Sequence, residues 1–206
     1  MPGRVFLTAP LTEVAAWMGA DAGDLSEPPR RNIAPGQEVV VCTAERRLVR
    51  MRWGIIPVGR VNARGRPVLD TIVNARSETV FDKSAFEGVG RAVVPVNGWY
   101  EWTGAARRKT AWRIRPSDSA PFLAFAAITD RWQAPGGRVL DQVATVTTEP
   151  NADVAPIHHR MAVILEPADV GTWLTGSEDA ARALCRPWPE GRLHIEEAKD
   201  VDWQAP

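Results

Sequence analysis

The chain has 206 residues, of which 45% are hydrophobic, and its 25 basic and 25 acidic side chains cancel to a net charge of zero. That length can form one large domain or two small ones, and without an internal repeat or a Ser/Gly-rich linker we expect a single domain over 1–206. The neutral balance excludes a global electrostatic footprint for nucleic acid, so any such binding has to come from local arginines.

In chain order, Met1 to Arg4 is short and polar, lacks the apolar core of a secretion signal, and runs into a strand start at Val5-Phe6-Leu7. Leu11, Val14, Ala15 and Met18 recur at helical spacing, and Gly19 ends that helix as a C-terminal cap. Residues 21–31 read as a loop, and N-I-A-P-G-Q at 32–37 as a turn that opens onto a strand over 38–43. Residues 47–56 alternate as a strand and finish in W-G-I-I-P, after which 59–67 reads as a mobile basic loop with three arginines. No apolar run approaches the roughly 20 residues of a membrane helix. The two cysteines, Cys42 and Cys185, stand far apart without metal-ligand spacing, which fits a reducing cytoplasm and no metal site. Nine tryptophans are assigned to buried packing by default.

Asn74 and Arg76 follow an apolar pair and, in a strand, face one side. Such a pair suits an amide that orients a nucleophile and a guanidinium that holds phosphate, and equally suits a pair stitching a loop together. Over 91–102 the chain reads R-A-V-V-P-V-N-G-W-Y-E-W. This predicts a buried strand interrupted by Pro95, a tight turn at Asn97-Gly98, and a second strand from Trp99. Glu101 is then a carboxylate among aromatics whose pKa burial would raise; spacing alone favours an exposed glutamate on the polar side of the strand. Further strands are expected at 110–115, 122–128, 142–148 and 161–165, with a short capped helix over 177–184. His158, just before the last of these strands, is a candidate for acid–base work or a satisfied surface group. The fold class is α+β: a β-rich domain with a few peripheral helices.

Taken together, N-I-A-P-G-Q (32–37), W-G-I-I-P (53–57), V-N-A-R-S-E-T (73–79), the 91–102 segment and I-H-H-R-M-A-V-I-L (157–165) resemble the SOS-response-associated peptidase family of abasic-site processing proteins. The resemblance implies an open barrel with a positive groove for single-stranded DNA, no cofactor, and a monomer reacting with the aldehyde of abasic sites. It places Asn74, Glu101 and His158 in the catalytic site. It places Arg4, Arg76, Thr147 and Arg160 where the family contacts DNA or lines the site, with Trp53 or Trp99 available to stack on a base. The family nucleophile is a cysteine directly after the initiator Met, and this chain has Pro2 there. Loss of Met1 would leave Pro2 with a secondary amine, which attacks an aldehyde to give an iminium and opens a β-elimination route. The competing readings are a binding module without covalent chemistry, and self-processing of the N-terminus as the peptidase name implies.

Overall fold

Thirteen strands and three α-helices are present among the described residues of the computed structural model, which are 2–57, 64, 70–83, 86–105, 108–117, 121–133 and 136–205. In order they are β1 (Arg4–Leu7), α1 (Leu11–Met18), β2 (Arg30–Ile33), β3 (Glu38–Cys42), β4 (Leu48–Trp53), β5 (Asn74–Arg76), β6 (Gly90–Val96), β7 (Gly98–Thr103) and β8 (Thr110–Pro116). There follow β9 (Leu123–Gln133), β10 (Val139–Thr148), β11 (Met161–Ala162), β12 (Ile164–Leu165), α2 (Val170–Thr175), α3 (Glu178–Ala183) and β13 (Leu193–Glu197). The expected basic loop at 59–67 lies outside the described residues apart from Arg64.

The β-branched runs of β3 and β6 are buried almost throughout and form part of a five-stranded ring, β4-β3-β6-β9-β10. The ring is closed where the resemblance implied an open barrel. Strand β10 pairs antiparallel with β9 on one edge and parallel with β4 on the other. Further along that second edge, β5 takes over from β4, setting Asn74 opposite Thr145 and Arg76 opposite Thr147. The predicted strand at 161–165 is split, with β11 on β10 and β12 on β9.

A second sheet, β13-β8-β7-β1-β2, lies against the barrel. Its two faces follow from strand alternation. Val5, Trp99 and Ile114 are paired across β1, β7 and β8 and join the main core, where Trp99 packs edge-on to Phe125. Phe6 and Tyr100 face the other way into a small cluster with Trp102, Ala198 and Trp203.

Asn97-Gly98 does not close a hairpin. Strand β6 belongs to the barrel and β7 to the second sheet, so the chain changes sheets at this corner. The Asn97 side chain fastens the corner, accepting from the backbone N–H of Thr8 and Ala9 and donating to the Pro121 carbonyl. Glycine is needed at 98 because a Cβ would stand 2.2 Å from the Ile114 carbonyl oxygen and 2.6 Å from the Phe6 ring.

Candidate active site

The barrel, the second sheet and the turn before β11 converge on the N-terminal segment. Glu101 lies on β7 two residues beyond Trp99, so alternation turns it to the barrel side, and it is only 3% exposed. Burial pushes its carboxyl up to about 7, while the positive charge of the chain's α-amine pulls the other way. The exposed glutamate that spacing favoured is therefore replaced by a buried carboxyl poised near neutrality.

Pro2 is buried just ahead of β1, and the Asn74 side-chain amide donates to its carbonyl oxygen at 3.2 Å. The Thr145 hydroxyl, from the facing position on β10, donates to the other end of the same amide, Asn74 Oδ1. Asn74 thus ties the barrel to residue 2 through the Pro2 carbonyl.

His158 is half-buried in the turn before β11, with its exposed neighbour His159 stacked on it at 4.4 Å. Its Nδ1 lies 3.0 Å from the Arg160 backbone nitrogen and 3.1 Å from the Arg160 carbonyl oxygen. A backbone N–H can only donate, so in that contact Nδ1 accepts and the neutral ring carries its proton on Nε2; the carbonyl suits the opposite tautomer. Burial lowers the His158 pKa, and the charge of the α-amine lowers it further.

The DNA-contact candidates are placed very differently from one another. Arg160 is 8% exposed and grips both oxygens of Glu78, Nη2 at 2.8 Å from Oε2, and it also donates to the Thr147 carbonyl. This holds the Glu78 carboxyl down at about 2 and makes Arg160 a brace between β10 and the turns after β5 and before β11. Thr147 is fully buried, with its hydroxyl donating to the Ala75 carbonyl at 3.2 Å, and offers no surface to a nucleic acid. Trp53 is 1% exposed and its indole N–H donates to the Val73 carbonyl, while Trp99 is 0% exposed, so neither ring has a face open for a base. Arg4 pairs with Tyr100 across β1 and β7, which puts it on the sheet face opposite Glu101, where it donates to Asn32 Oδ1 at 2.6 Å. Arg76 is exposed and carries no side-chain hydrogen bond or ion pair among the described residues; two residues beyond Asn74, it shares that side of β5.

Residues 1–201 match the family described as SOS response associated peptidase (SRAP). The chain belongs to this family. Among its SRAP relatives, the abasic site processing protein YoaM of Bacillus subtilis (strain 168) is 33% identical over 170 residues, covering 78% of this chain and 73% of that one. The abasic site processing protein HMCES of Mus musculus is 29% identical over 170 residues, and the aligned part is 68% of this chain but only 48% of the mouse protein. The crystal structure of a Bacteroides thetaiotaomicron protein superposes with a TM-score of 0.81 over 96% of this chain and 92% of that one; at 23% identity this establishes the shared fold.

Within this SRAP chain neither cysteine lies on an element that carries the site. Cys42 is fully buried in β3, and Cys185, beyond α3, has its thiol pushed up to about 11 by burial. Sequence reasoning named Asn74, Glu101 and His158 through motif resemblance, but it singled out neither Glu78 nor Thr145, which the structure pairs with Arg160 and Asn74. Glu78 stood in a quoted motif, yet its partner is 82 residues away, beyond the reach of any spacing rule.

Proposed function

We propose that this chain processes abasic sites in single-stranded DNA, with the Pro2 amine, freed by removal of Met1, as nucleophile. The observation that carries the reading is the hydrogen bond from Asn74 to the Pro2 carbonyl, together with the buried Glu101 carboxyl raised to about 7. A buried carboxyl near neutrality is suited to shuttle a proton between a carbinolamine and its iminium, because both of its protonation states are populated at working pH. An α-amine has an unperturbed pKa of about 7.7–8.0, so a nucleophilic fraction exists at the same pH.

In the proposed sequence the neutral Pro2 nitrogen attacks C1′ of the ring-opened sugar, forming an N–C bond while the C=O π bond breaks and the proton on nitrogen passes to the aldehyde oxygen to give a neutral carbinolamine. Glu101 protonates the resulting hydroxyl, which leaves as water, and the nitrogen lone pair closes the iminium. His158 with Nε2–H assists sugar ring opening as a donor. In the opposite tautomer, with Nδ1–H on the Arg160 carbonyl, its Nε2 lone pair is suited to remove the C2′ proton. That loss expels the 3′ phosphate, and water then hydrolyses the iminium to release Pro2. Arg76 supplies the exposed charge for a backbone phosphate.

The test is borohydride trapping with an abasic-site oligonucleotide, using protein whose intact mass shows that Met1 is gone. An adduct mapping to Pro2 is expected. Binding without any adduct would reduce the chain to a damage-binding module.

A further inference from the structure

We infer that Thr145 is a positioning residue for the N-terminal nucleophile, acting through Asn74; this rests on the reading of Pro2 given above. Among the described residues, the Asn74 amide makes the one hydrogen bond between β5 and residue 2, and an amide works there in one orientation. Its NH2 must face the Pro2 carbonyl, because a carbonyl only accepts. Its oxygen must then face a donor. Thr145 supplies that donor from the directly opposed position of β10, and at 1% exposure no solvent competes for the hydroxyl.

Orientation at this point matters because β5 is three residues long and Asn74 is its first. Backbone pairing alone leaves the amide free to flip or swing away. Thr145 removes that freedom: a hydroxyl fixed on a barrel strand holds an amide, which holds the carbonyl next to the reacting nitrogen. A flipped amide would aim its oxygen at the Pro2 carbonyl, repelling the segment it is meant to hold. The backbone N–H of Thr145 donates to the Val73 carbonyl at 3.2 Å, so the main chain of β10 at this position is anchored independently of the hydroxyl. Removing the hydroxyl therefore loosens the amide while leaving the strand pairing in place.

The experiment compares wild type with Thr145→Val, which keeps the shape and removes the donor, and Thr145→Ser, which restores it. The expected result is a roughly 10-fold slower trapping of the abasic-site adduct in Thr145→Val, the size of effect that modest misplacement of a reacting group produces. Oligonucleotide binding is expected to be unchanged, and Thr145→Ser to react as wild type does. Equal trapping rates in wild type and Thr145→Val would overturn the inference. Should wild type form no adduct, the proposed function fails and a second readout still decides this point: the Asn74 side-chain NH2 signals in a nitrogen-15 NMR spectrum. Two resolved, slowly exchanging protons in wild type and in Thr145→Ser, merging or exchanging faster in Thr145→Val, support the positioning role. The same signals in all three proteins refute it. Thr145→Ala gives both readouts in place of the valine variant if the latter does not fold.

Discussion

Glu101 shows how a single side chain couples burial to pH. Its carboxyl is raised to about 7 by burial, from an ordinary value of 4.5. Between those two values the folded protein binds a proton that the unfolded chain has released, so stability falls as pH rises through that window. Glu101→Gln removes the titration while keeping the shape. The variant should melt at the wild-type temperature or lower at pH 4, and gain on wild type by pH 8, where the cost of the buried charge reaches at most about 3 kcal/mol. Melting curves at the two pH values check this; a wild-type-to-variant gap that stays the same at both would show that Glu101 titrates normally. The aromatic flanks of Glu101 were legible in the sequence, but its inward direction was not. Strand alternation only says that Glu101 shares a side with Trp99, and the barrel packed on that side decides which one is buried.

At the level of elements, most strands were readable because apolar β-branched runs give themselves away, and α1 was readable from its spacing and its left-handed cap at Gly19. What escaped were elements defined by pairing more than by composition: the three-residue β5, the polar edge strand β2, and β13 with its two adjacent glutamates. The turn at Asn97-Gly98 and the strand after it were readable, but a turn signal reports a bend and not which sheet the next strand joins. The Glu78–Arg160 pair makes a related point, since it locks two short turns onto β10 that hydrophobic burial alone would hold weakly. Glu78 is depressed to about 2 by its hydrogen bonds to Arg160, so the pair's contribution is present above about pH 4.5 and is lost as pH falls toward 2. Glu78→Gln should cost about 1–2 kcal/mol at pH 7, a figure reduced because the Glu78 side chain is 53% exposed and partly screened. The loss should shrink as pH drops from 5 to 2, which denaturant melts at several pH values would reveal. A loss independent of pH over that range would mean that the carboxylate charge contributes nothing to the brace.

Across the whole molecule, the two ends of the chain are joined on the outer face of the second sheet. Arg4 of β1 donates to Asn32 Oδ1, and the Asn32 amide donates to the carbonyls of Asp202 at 3.1 Å and Ala205 at 2.7 Å. Trp203 lays its ring edge-on to Tyr100 at 5.0 Å and against Trp102 at 5.4 Å, and Arg113 reaches Asp200. The residues after β13 therefore back the strands whose opposite face carries Glu101, without entering the main core. Because Asn32 is only 3% exposed and its amide serves both ends of the chain, freeing the tail also releases a partner of Arg4, two residues from Pro2. Trp203→Ala should detach this tail as a local event, removing about 1–3 kcal/mol of aromatic packing while the barrel keeps its cooperative melt. Hydrogen exchange should then show faster exchange in 199–205, in β2 and at the start of β1, with β3, β6 and β9 unaffected. Faster exchange confined to 199–205 would instead mean that the N-terminal segment is held from the barrel side alone, through Asn74.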